Sequence, residues 1–66
     1  MSSFREARIK KHLTQEQVAN AVGISTLMYG LIENNKAKGS IDTYLNIKNF
    51  LEMSDTCFVQ ALNQKK

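Results

Sequence analysis

Between the apolar-periodic segments QEQVANAV and TLMYGLIEN the chain has only Gly23, Ile24 and Ser25 with which to stop one helix and start another. A connection that short makes the two helices cross steeply instead of running side by side. Gly23 can take the left-handed backbone that closes a helix, Ile24 can turn back into the core, and Ser25 can cap the next helix through its hydroxyl. Ala19 falls where the two helices approach most closely, so a larger side chain there is expected to push them apart.

The rest of the chain is punctuated in the same way. It contains no proline, so the starts and stops come from glycines and from Ser/Thr residues that precede apolar runs. Ser3 with Glu6 and Thr14 with Gln17 have the spacing of capping boxes. Leu13 with Val18, Ile24 with Tyr29 and Met53 with Phe58 are spaced as hydrophobic staples. Ser40 caps IDTYLNIKNFL, with Asp42 near the positive end of that helix. The spacing predicts five short helices, at Ser3 to Lys11, Gln15 to Val22, Thr26 to Asn34, Ile41 to Glu52 and Asp55 to Asn63, and no strand. Phe4, Ala7, Leu13, Val18, Ala19, Val22, Tyr29 and Ile32 recur at helical spacing and should share one core, completed by Ile41, Leu45, Leu51, Phe58 and Leu62.

Bulk properties narrow the function. Sixty-six residues make one domain, read here as 1–66, with a small core. At 42% hydrophobic and 23% charged the composition is that of a folding chain. A net charge of +3 and a pI near 9.3 suit an anionic partner such as nucleic acid. A single cysteine, Cys57, can form neither an internal disulfide nor a cysteine-based zinc site, which fits a reducing cytoplasm. MSSFREARIKK lacks the apolar stretch of a signal peptide, and no run is long enough to span a bilayer. The expectation is a cytoplasmic protein with no membrane partner, no metal and no cofactor. His12, the one histidine, has no acid or cysteine at ligand spacing and reads as a solvated helix-end residue. No phosphate loop or nucleophile motif is present, so an enzyme is not expected.

From Arg8 through Met53 the chain resembles the phage repressor and Cro type (XRE-like) of helix-turn-helix DNA-binding family. The residues that carry the likeness are Arg8, Leu13-Thr14-Gln15, Val18-Ala19, Gly23-Ile24-Ser25, Ile32-Glu33-Asn34, Ser40-Ile41 and Leu51, with the motif at 14–34. The resemblance implies an all-α, compact five-helix lambda-repressor-like domain that binds a partly palindromic operator in double-stranded DNA as a homodimer and regulates transcription. It implies that Gln15, Asn34, Lys36 and Lys38 contact phosphates, and that Arg8 pairs with Glu33 to lock the third helix to the first. A helix N-terminus beside a Lys-x-Lys loop would serve as such a backbone clamp.

The reading face departs from that pattern. With Tyr29 and Ile32 turned inward, helical spacing puts Leu27, Leu31 and Asn34 on the outer face, flanked by Thr26 and Gly30. Relatives usually carry polar side chains there, because base edges are read mostly by hydrogen bonds. Ser25, Thr26, Leu27 and Leu31 are therefore the expected base contacts, the leucines against thymine methyls, with Gly30 letting the helix sit close. DNA deformability, or a protein partner on an apolar patch, are the alternatives. In the second case the fold would serve as a protein-binding module, such as an antirepressor or an antitoxin-like partner.

Three further departures are milder. Asn35 replaces a glycine as the left-handed cap, Gly39 stands where proline is common and should loosen the loop, and Lys48 sits inside an apolar arc from which its stem must snorkel. Phe50, Met53, Phe58, Val59 and Leu62 could supply a two-fold interface, with Ile47 widening that face. Core is the preferred reading for Phe58 and Leu62, interface for Phe50 and Val59. Cys57 reads as a packing residue. LNQKK closes the sequence, and no effector domain is expected.

Overall fold

The computed structural model describes residues 3–63, and its five helices are α1 (Phe4–Lys10), α2 (Gln15–Val22), α3 (Thr26–Glu33), α4 (Ile41–Phe50) and α5 (Asp55–Leu62). Gln64 to Lys66, part of the LNQKK end, lie outside the described residues. Every helix starts on a hydroxyl. Ser3, Thr14, Ser25, Ser40 and Ser54 each accept the amide three residues on, at 3.0 to 3.2 Å. The full capping box forms at Thr14, whose own amide donates to Gln17 Oε1 at 2.8 Å. At Ser3 the side chain takes the Glu6 amide, but the reciprocal bond expected from Glu6 is not made, and that half of the box is corrected.

The first four helices share one ending as well. Gly23, at φ 81°, closes α2 as expected, and Ile24 N–H reaches back to Ala19 O at 3.0 Å. Three other helices close on left-handed residues that are not glycine: His12 (φ 59°), Asn35 (φ 61°) and Glu52 (φ 55°). In each, the next amide returns to the helix: Leu13 to Arg8 O, Lys36 to Leu31 O and Met53 to Lys48 O, at 3.2, 2.8 and 3.0 Å. These bonds satisfy carbonyls that a helix end otherwise leaves unpaired. Asn35 takes the expected role; the structural use of His12 is backbone closure.

The core comprises Phe4, Val18, Ala19, Tyr29, Ile32, Ile47, Leu51, Met53, Phe58 and Ala61. Helix α2 packs on both α3 and α4, and Ala19 is completely buried. Phe4 ties α1 to the far side, stacking on Tyr44 at 5.9 Å and meeting Phe58 edge-on at 6.1 Å.

Helix α4 is rotated from the expected phase. Ile41 and Leu45, expected in the core, are 66% and 43% exposed, whereas Ile47 is fully buried. The buried stripe runs through Tyr44, Ile47 and Leu51, which carries Lys48 to its margin. There Lys48 Nζ bonds Asp55 Oδ1 at 3.1 Å and lies 6.0 Å from the Phe58 ring centroid, so the lysine does snorkel. On α5, Ala61 is buried and Leu62, preferred as core, is exposed.

The loop before α4 is not loose at Gly39. Its amide donates to the Tyr44 hydroxyl at 3.3 Å, and a Cβ there would meet Ile32 Cδ1 at 3.1 Å and Thr43 Cγ2 at 3.3 Å. Close packing, rather than a special backbone angle, is what glycine provides.

Candidate nucleic-acid interface

Helix α3 divides into two faces. Tyr29 and Ile32 point inward and are buried, with Met28 partly buried against the same core. Thr26 and Leu27 are exposed, Leu27 to 75%, and Gly30 and Leu31 are half-buried. Ser25 gives one lone pair to the Met28 amide, and its hydroxyl proton remains to donate. Asn34, exposed at the helix end, turns Nδ2 onto Gly30 O at 3.0 Å and keeps its side-chain oxygen as an acceptor. Lys36 and Lys38 are exposed in the loop that follows. The backbone amides of Gln15 and Glu16 open α2 without intrahelical acceptors, as in any first turn.

An ion-pair network fixes α3. Arg8 Nε and Nη2 donate to Glu33 Oε2 and Oε1 at 2.8 and 3.0 Å, a bidentate pair with side chains 13% and 2% exposed. Arg8 Nη1 also donates to Leu13 O at 2.9 Å, tying the α1–α2 turn to the same guanidinium. A fourth bond links Gln15 Nε2 to Glu33 Oε1 at 3.0 Å. Burial works to raise the Glu33 carboxyl, but hydrogen bonds from Arg8 and then Gln15 outweigh it and hold the group below its ordinary range. The bond to Glu33 raises Arg8 in turn. Burial first, and the Glu33 charge second, push the neighbouring Tyr29 hydroxyl well above the usual phenol range.

Sequence reasoning missed the Gln15 to Glu33 bond, which joins residues far apart in the chain. It named Val59 and Leu62 for an interface but put Ile41 and Leu45, which are exposed as well, in the core. Ile41, Leu45 and Lys48 are spaced four and three apart on one flank of α4; Asp55, Val59 and Leu62 repeat that spacing on α5. The Lys48 to Asp55 bond joins the two flanks at the α4–α5 turn, and Ile41, Leu45, Val59 and Leu62 on those flanks are exposed. Phe50, 40% exposed, lies half a turn from Ile41 at about 3.6 residues per turn and faces the other way. Met53 and Phe58, named for an interface, are 7% and 8% exposed and belong to the core of this chain.

Elsewhere, an open groove of about 560 Å³ lies between α1 and the α4–α5 turn, with Glu6, Lys10, Lys11, Glu52 and Cys57 on its walls. Its charges are mixed. Among the described residues no cluster of His, Cys, Asp or Glu is placed to hold a metal ion, and no helix is long and apolar enough to cross a membrane.

Two helices joined by a three-residue turn, the second pinned on its inner face and open on its outer one, define a small helix-turn-helix DNA-binding domain. A family model described as helix-turn-helix matches residues 4–55, and the chain belongs to that family, of the Cro/repressor type. No curated protein and no solved structure matches the chain. The membership makes it a DNA-binding transcriptional regulator, in a family that is generally non-enzymatic.

Proposed function

We propose that the protein binds a partly palindromic operator as a homodimer, acting in the cytoplasm on nucleoid DNA, with α3 in the major groove. The observation that carries this reading is the two-faced α3, which leaves Thr26 and Leu27 exposed and Gly30 and Leu31 half-buried on its outer side while Tyr29, Ile32 and Glu33 anchor the inner one. Ser25 and Thr26 offer hydroxyls to base edges, and Leu27 and Leu31 meet thymine methyls, the apolar feature of the major groove. Gln15, Asn34, Lys36 and Lys38 hold the flanking phosphates, which sets position and not sequence.

Size supports the second copy. The described residues span 25 × 23 × 20 Å, less than the roughly 34 Å between half-sites one helical turn apart, so one chain does not cover both. Val59 and Leu62 of α5, with the exposed Ile41 and Leu45 of α4, make the dimer seam; Phe50 stands outside it.

Selection of bound duplexes from a random-sequence pool at moderate salt tests the reading. A palindromic motif with thymines facing α3 is expected. Enrichment of no motif by folded protein would overturn it. Replacing Lys36 and Lys38 by alanine should weaken binding at all sequences and reduce the salt slope by about 1 per lysine.

The 75% exposure of Leu27 supports a second reading, in which this face binds a protein. Under that reading the lysine changes leave partner affinity intact, and a polar substitution at Leu27 abolishes it.

A further inference from the structure

We infer that Glu33 is a positioning residue for DNA binding: it fixes the Gln15 carboxamide against α3 and thereby sets the phosphate donor at the start of α2. The inference rests on the DNA-binding reading above and deepens it. Glu33 is 2% exposed on its side chain and does not itself reach a ligand. Whatever it does for DNA, it does through a neighbour.

Gln15 is that neighbour. Its Nε2 donates to Glu33 Oε1 at 3.0 Å, and the carboxamide lies over Gly30, where a Cβ would stand 3.5 Å from Gln15 Oε1 and 3.8 Å from Nε2. A free glutamine side chain loses rotamer freedom when it grips a ligand. One already held by a charged acceptor loses much less, and binds more tightly for that reason. The acceptor is rigid in its turn, because Arg8 takes both of its oxygens. With one N–H given to Glu33, the carboxamide keeps a second N–H for a phosphate oxygen. The Glu33 charge does not repel that phosphate strongly, since the Arg8 guanidinium at 2.8 Å matches it. Arg8, Glu33, Gln15 and the phosphate then form one chain of hydrogen bonds running from α1 to the DNA.

The test is a double-mutant cycle on affinity for a mixed-sequence duplex, read by fluorescence anisotropy on protein shown to be folded by thermal melting. Gln15→Ala should weaken binding roughly tenfold, the scale of one hydrogen bond to a charged group. Glu33→Gln should weaken the wild type severalfold and add nothing in the Gln15→Ala background. A purely structural Glu33 would instead give the same loss in both backgrounds, which overturns the inference. Gln15→Asn, too short by one methylene to reach Glu33, provides a variant that leaves the Arg8 to Glu33 pair intact. It should bind like Gln15→Ala, and wild-type affinity in that variant would also overturn the inference. Wild-type protein that binds no duplex would remove the DNA-binding reading itself; wild-type binding with additive losses removes only the role of Glu33.

Discussion

Gly30→Ala is expected to make the protein more stable and a poorer DNA binder. Gly30 sits inside α3 with no left-handed backbone angle to demand glycine. A Cβ there would find Gln15 Oε1 at 3.5 Å as its nearest neighbour, an ordinary van der Waals approach to the end of a flexible side chain. Nothing in the fold therefore opposes alanine, and the helix gains about 0.8–1.0 kcal/mol from the smaller backbone entropy loss. For a domain of this size that corresponds to a rise of roughly 4–8 °C in Tm, read by far-ultraviolet circular dichroism. The added methyl, however, stands on the outer side of α3 beside Leu27 and against the Gln15 carboxamide, where the proposed groove contact is made. Affinity for the selected duplex, measured by anisotropy, should fall roughly tenfold, because overpacking a close-fitting surface by one methyl costs about 1–2 kcal/mol. A lowered Tm would refute the account of the space around Gly30. A raised Tm with unchanged affinity would refute close approach at this position.

Other outcomes follow from the same geometry. Because Glu33 titrates below its ordinary value in the folded chain, its contribution to stability is complete above about pH 5 and is lost as the pH falls through the unfolded carboxylate value near 4.3 to the lower folded one. Arg8→Met should flatten that acid limb in pH-dependent melts and destabilise by about 3 kcal/mol at neutral pH, the low end for a broken buried pair. His12→Gly and Glu52→Gly should each stabilise by about 0.5–1 kcal/mol in urea unfolding, since both residues hold left-handed angles, and the exposed Lys11 to Glu52 bridge contributes little against this. Ile47→Ala should cost about 2–5 kcal/mol, a large share of what a chain this short has, whereas Leu45→Ala should change unfolding by less than about 0.5 kcal/mol and, on the proposed two-fold pairing, weaken self-association in sedimentation instead.

What is legible in the sequence is mostly local. Hydroxyl caps act within one turn, so Ser3, Thr14, Ser25, Ser40 and Ser54 announce their helices without tertiary information. Gly23 and Asn35 do the same for two of the ends. The phase of α4 is harder, because apolar residues stand at 41, 44, 45, 47, 50 and 51 and periodicity alone fits two stripes. Lys48 is the deciding signal: it lies within the stripe through Ile41 and Leu45 and at the margin of the one through Tyr44 and Ile47. Ala61 is hidden by its size next to Leu62. Arg8 and Glu33 come from the family likeness, since nothing local joins residues 25 apart. The Gln15 bond to the same carboxylate has no sequence signal, because position alone marks Gln15 only as a helix-start residue.

The division of α3 into two faces also bears on how such a protein could change its target. Thr26, Leu27, Gly30 and Leu31 contribute little to the buried core, whose α3 members are Tyr29 and Ile32. Substitutions at these four positions can therefore wander without taking the fold below its stability threshold, while Tyr29, Ile32 and Glu33 are held by what they pack against. A library randomised at the four outward positions should consist largely of folded proteins that differ in what they bind, so that new specificities lie within a few mutational steps of this one.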